Sequence, residues 1–72
     1  MLRNRLKELR ARHGFSQTEL AKHVGVTRQT IGFIEKGEFS PSIVLSLRLA
    51  KHLHIRVDEL FWLEGEDFDE QK

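Results

Sequence analysis

Arg28, Gln29 and Thr30 stand side by side just after the run Gly25-Val26-Thr27. In three consecutive positions they offer a forked cation, a carboxamide that both donates and accepts, and a hydroxyl. These groups suit the edges of base pairs. Arg donates two bonds to guanine O6 and N7, Gln pairs with adenine N6 and N7, and each good bidentate contact gives about 1–3 kcal/mol of discrimination. Such chemistry needs a short helix that can be set into a groove. The stretch from Ser16 to Gly37 supplies one, reading as two short amphipathic helices joined by a tight, Gly-containing turn, the reading unit of a sequence-specific DNA-binding protein.

The neighbouring elements are built to hold that pair. Leu2, Leu6 and Leu9 recur at helical spacing and predict a first helix from Leu2 to His13, ended by Gly14. Ser16 followed by Glu19 is a capping box that opens helix two, whose inner face is Leu20, Ala21 and Val24. Ala21 is the small residue needed where two helices cross at a steep angle, and Gly25 takes the positive φ of the turn. Thr27 caps helix three, with Ile31 and Ile34 inward and Gly37 at its end. Ser42 caps a fourth helix from Ile43 to Leu53. Its apolar residues cover most of the circumference, so it is expected to be the most buried element. A short fifth helix is expected from Asp58 to Leu63, with the acidic pair Asp58 and Glu59 at its positive end. Strand signals are absent, except that Phe61 to Leu63 could extend. The acidic end from Glu64 to Lys72 is expected to fray.

Seventy-two residues make one domain, here divided into a body at 1–63 and an acidic tail at 64–72. The net charge of +1 conceals an asymmetry. Residues 1–56 hold eleven Lys or Arg against four Glu, while residues 57–72 hold seven Asp or Glu against one Lys. A basic body with an acidic tail suits a polyanion-binding domain. The tail either keeps the protein soluble or folds across the basic face and suppresses non-specific DNA binding. No cysteine is present, and no apolar run approaches a membrane span, so a soluble cytoplasmic protein is expected. No catalytic Ser-His-Asp order, phosphate-cradling Gly loop or carboxylate pair stands out, so no enzyme activity and no cofactor are expected. A metal site is not expected either: His52 and His54 diverge, and His13 and His23 have no obvious ligand partners.

Residues 3–61 resemble the lambda-repressor-like helix-turn-helix family, the Cro and xenobiotic-response-element type of small regulators. The resemblance is carried by Arg5-Leu6-Lys7-Glu8-Leu9-Arg10, Ser16-Gln17-Thr18-Glu19-Leu20-Ala21, Val24 to Ile31, Ile34-Glu35-Lys36-Gly37, Pro41-Ser42 and Asp58-Glu59-Leu60-Phe61. It implies an all-α, five-helix fold with the helix-turn-helix at helices two and three. It also implies that Thr27, Arg28, Gln29 and Thr30 contact bases and nearby phosphates. Phe33, one turn beyond Gln29, would meet a thymine methyl or else pack against Phe39. Gln17 matches the residue that holds a backbone phosphate at the start of helix two. Lys36 and Ser40 are the next phosphate candidates. Arg10 and Glu35 match a structural ion pair linking helix one to helix three. His54 stands where the family usually has Gly, and Arg56 where it usually has a Ser-like cap, so the turn into helix five departs from the pattern.

The run Leu60-Phe61-Trp62-Leu63 is too apolar for a loose tail: the resemblance implies that Leu60 and Phe61 pack on the core, and Phe61, Trp62 and Leu63 are expected at a homodimer interface. Two recognition helices one turn apart would then read a palindromic operator in double-stranded DNA. The expected function is a small transcriptional regulator, a repressor in the first instance. An antitoxin-like protein partner that also binds its own operator is the alternative, and an adaptor that has lost DNA binding is disfavoured by the polar recognition face.

Overall fold

The computed structural model describes residues 1–65. In chain order the elements are strand β1 (Leu2–Asn4), helices α1 (Leu6–Arg12), α2 (Gln17–Val24), α3 (Arg28–Glu35), α4 (Ile43–His52) and α5 (Val57–Leu60), and strand β2 (Phe61–Leu63). Local capping accounts for three of the helix starts. Ser16 Oγ accepts from the Glu19 backbone N–H at 3.0 Å, and Glu19 Oε1 accepts from the Ser16 N–H at 2.8 Å, completing the capping box. Thr27 and Ser42 each accept from the N–H three residues on, at 3.3 and 3.1 Å. Each bond satisfies a donor that has no partner inside the helix.

The first helix begins later than its leucine spacing predicts. Residues 2–4 instead run antiparallel to 61–63, pairing Leu2 with Leu63, Arg3 with Trp62 and Asn4 with Phe61. Asn4 makes the switch. Its Oδ1 accepts from the Leu6 N–H at 2.9 Å, and its Nδ2 donates to the Ile34 carbonyl at 3.0 Å. A short polar side chain that bonds the backbone ahead of it ends extended structure and starts the helix. The expected fifth helix likewise stops at Leu60, and Phe61–Leu63 extend as β2. The ladder reaches one residue further: the Glu64 N–H donates to the Met1 carbonyl at 2.9 Å, and the Glu64 side chain lies 3.3 Å from Arg3 Nε. Glu64 is therefore held, contrary to the expected fraying from that point, while residues 66–72 of the acidic tail lie outside the described residues.

Leu6, Leu20, Ile31, Leu49 and Leu60 are wholly buried and draw α1 to α5 around one core. In α4 only one side is covered. Leu45, Ser46, Leu49 and Ala50 turn inward, while Ile43, Val44 and Leu47 are 76, 59 and 54% exposed. α4 carries more buried residues than any other helix, as expected, but its apolar circumference is covered on one side only: it packs on α2 and α5, and among the described residues no further layer crosses its other face. The turn out of α4 is made by His54 at φ 55°, a left-handed position taken without Gly. Among the described residues no helix is long and apolar enough to cross a membrane.

The Glu19 carboxyl is held below its ordinary range, first by the Ser16 backbone N–H and then by the Ser16 hydroxyl. A lowered folded-state value stabilises at pH above the unfolded carboxylate's range, and that contribution is lost as pH falls through the folded value. Ser16→Ala is expected to cost about 1 kcal/mol, a fall in Tm of about 4–8 °C. In thermal melts between pH 2 and 7, Glu19→Gln should remove the part of the acid-side slope that comes from this cap.

Candidate nucleic-acid interface

The turn between α2 and α3 is set by one carbonyl. Ala21 O accepts from both the Gly25 N–H at 2.9 Å and the Val26 N–H at 3.0 Å, which reverses the chain within three residues. Gly25 has φ 80°, and a side chain there would suffer from the backbone conformation rather than from crowding, since an added Cβ would lie an ordinary 3.5 Å from Arg48 Nη1. Arg48 itself reaches from α4 to the Val24 carbonyl at 3.4 Å. Ala21, Ile31 and Ile34 are buried where the two helices cross.

On the outer side, Thr27 and Thr30 are engaged with each other, their hydroxyl oxygens 3.1 Å apart. Arg28 and Gln29 are exposed, and among the described residues neither side chain forms a hydrogen bond or ion pair within the chain. Phe33 is 46% exposed and makes no ring contact with Phe39 among the described residues. Arg28, Gln29, Gly32, Phe33 and Lys36 line a shallow cleft of about 210 Å³ together with Gln17 from α2. The fold thus brings Gln17, Arg28, Gln29, Phe33 and Lys36 to one surface. Ser40 is not part of it; this residue borders the grooves on the side of Leu2 and Phe61.

Beneath this surface lies a buried charge cluster. Arg10 Nε donates to Glu35 Oε2 at 2.6 Å, and Nη2 approaches Oε1 at 3.4 Å. Arg10 Nη1 donates to the Phe15 carbonyl at 3.0 Å, and Gln17 Nε2 donates to Glu35 Oε1 at 3.0 Å. The side chains of Arg10 and Glu35 are only 15 and 6% exposed. Gln17, singled out for phosphate binding, therefore has one amide hydrogen directed inward. The N–H groups of Gln17 and Thr18, in the first turn of α2, have no partner within the helix. A Cβ at Gly32 would stand 3.7 Å from that Gln17 nitrogen, so room inside the protein does not account for the glycine. Asn4, bonded to the Ile34 carbonyl at the end of α3, escaped the sequence reading because a helix through residue 4 hid its turn-forming role.

The three C-terminal candidates divide. Neighbouring residues of a strand point to opposite sides. Trp62 lies under the Arg5 guanidinium, 5.2 Å from the ring centre, and lines a groove with Arg3, Lys7, Glu8 and Ala11. Phe61 belongs to the other side, in an apolar groove with Leu2, Pro41, Ile43 and Val57.

The general model of a helix-turn-helix domain, HTH_3, matches residues 6–60, most of the chain and all five helices. The chain belongs to the HTH_3 helix-turn-helix family. Among its relatives, YgzD, an uncharacterised HTH-type transcriptional regulator of Bacillus subtilis, is 48% identical over 66 residues, spanning 92% of this chain and all of that protein. The crystal structure of the restriction-modification controller protein C.AhdI from Aeromonas hydrophila is similar with a TM-score of 0.69 and 41% identity over 75% of this chain and 82% of its own. A hypothetical transcription factor from Neisseria, NHTF, shares the fold alone, with a TM-score of 0.71 at 21% identity over 93% of this chain and 76% of that one. The protein is a helix-turn-helix transcriptional regulator of the HTH_3 family.

Removing one partner of a buried ion pair leaves the other charge uncompensated, at a cost of about 3–5 kcal/mol. Glu35→Ala should therefore lower the urea midpoint sharply. Duplex selections run at a temperature where the variant is folded should return the wild-type base preference. An altered preference with unchanged stability would contradict a structural role.

Proposed function

We propose that this HTH_3 regulator binds double-stranded DNA sequence-specifically, with α3 in the major groove, and acts as a repressor at a palindromic operator. The observation that carries this reading is the pairing of Arg28 and Gln29, exposed and without partners among the described residues, on a helix otherwise anchored by Ile31, Ile34 and Glu35. A side chain with several donors left unsatisfied by its own fold is available to base edges. Thr27, Thr30 and Phe33 complete the base-facing set, while Lys36 and the amide end of α2 at Gln17 meet phosphates. Most of the affinity is electrostatic and falls steeply with salt.

The operator is read by a homodimer. Ile43, Val44 and Leu47 form an exposed apolar face continuous with the groove of Leu2, Pro41, Val57 and Phe61. Leu63, opposite Leu2 in the ladder, adds to the same side. A second copy laid on this surface removes it from water, and Trp62, on the far side of the ribbon, lies at its margin.

Selection from a random duplex library should enrich a two-fold symmetric site with wild-type protein. Arg28→Ala should relax one position of each half-site by about 1–3 kcal/mol. Failure of the wild type to enrich any sequence overturns the DNA-binding reading. Sedimentation should give a dimer for wild type at micromolar concentration and a folded monomer for Ile43→Glu, with Trp62→Ala remaining dimeric. A wild-type monomer both free and with DNA removes the dimer.

A further inference from the structure

All four histidines of the chain meet on one side of the molecule, although they are spread from residue 13 to residue 54. The rings run in a file: His54 beside His13 at 5.7 Å, His13 beside Phe15 at 6.4 Å, Phe15 beside His23 at 5.2 Å, and His23 beside His52 at 5.3 Å. Phe15 divides the file into two pairs. Sequence spacing hid this, because His23 belongs to the last turn of α2 and His52 to the last turn of α4, and only the packing of α2 on α4 joins them.

We propose that His23 and His52 chelate one divalent transition-metal ion. Two imidazoles on a single tetrahedral cation, with metal–nitrogen distances of about 2.0–2.1 Å, have ring centres about 5 Å apart. The observed 5.3 Å between ring centres falls at that spacing, with the rings tilted by 33° and not stacked in parallel. His23 is exposed and His52 half-buried, so the ion has a path from solvent. Both residues end helices, where the carbonyl ends favour positive charge. Lys22 and Lys51 stand beside the pair in sequence and limit affinity.

Among the described residues no third His, Cys, Asp or Glu completes a protein-only ligand set. Water fills the remaining positions, which selects ions that imidazole suits, nickel, copper and zinc, over magnesium or calcium. The ion clamps the C-terminal turn of α2 to that of α4. It lies about 9 Å along the α2 axis from Gln17, so it stiffens the frame of α3 without occupying the DNA-facing cleft.

The test is titration of the whole protein with nickel chloride, followed by thermal melting and by paramagnetic broadening in NMR spectra, with magnesium chloride as control. Nickel at about 100 times its dissociation constant should raise Tm by about 10–20 °C and broaden signals around residues 23 and 52. Magnesium should do neither. Both effects should vanish in His23→Gln and His52→Gln and persist in His13→Gln and Arg28→Ala. Because His23 is exposed, its variant keeps the fold and decides the matter if His52→Gln melts early. No shift at millimolar nickel, or a shift that survives His23→Gln, overturns the site.

Discussion

The contact between Arg10 and Glu35 holds the domain in its working shape. A single carboxylate at the end of α3 receives the guanidinium of α1 and the amide of Gln17 from α2, while the same guanidinium secures the Phe15 carbonyl in the intervening loop. Three helices and a loop thus meet at one nearly dry point. Desolvating two charges is expensive, and here every nitrogen of the guanidinium and both carboxylate oxygens have a partner, with no buried side-chain polar atom left unsatisfied among the described residues. Apolar packing of Ala21, Ile31 and Ile34 brings α2 and α3 together, but it is non-directional. The fork of Arg10 adds the angular restraint, so the outward face of α3 is aimed by the geometry of a charge pair at its inner end.

That arrangement explains which parts of the molecule could be read from residue order. Signals confined to a few neighbours were plain: Ser16 with Glu19, Gly25, Thr27 and Ser42 each act through their own turn, and the structure places a cap or left-handed residue at each. Residue order misleads where the deciding partner is distant. Leu2 fits a helical stripe with Leu6 and Leu9, and only the arrival of Leu63 across the ladder makes residues 2–4 a strand. Ile43, Val44 and Leu47 look like core because they are apolar, yet burial depends on whether another element exists to cover them. The base-facing side chains were legible by chemical type; the inward turn of Gln17 and the bridging role of Asn4 were not, since each depends on a residue of α3 that folding brings near.

The two surfaces of the ribbon and helices have different characters. One is polar and cationic, with Arg28, Gln29 and Lys36 beside the exposed ring of Phe33. The other is apolar, formed from the start of α4, Val57 and Phe61. In a chain of this length every helix serves as both core and surface, so a stripe not needed inside becomes a boundary. The histidine file occupies a third region, at the C-terminal ends of α2 and α4.

The ribbon joining Met1–Asn4 to Phe61–Glu64 links positions up to 63 residues apart. Helices α2 to α5, by contrast, adhere through nearer contacts. Closing a loop of that span carries the greatest entropy cost in the fold and is recovered only once the intervening helices have already shortened the path. So long a closure is expected to follow assembly of the helices it spans. Opening the ribbon is the least expensive way for the ends to loosen: it gives up the Asn4 bond to the end of α3 but leaves the Arg10–Glu35 contact in place.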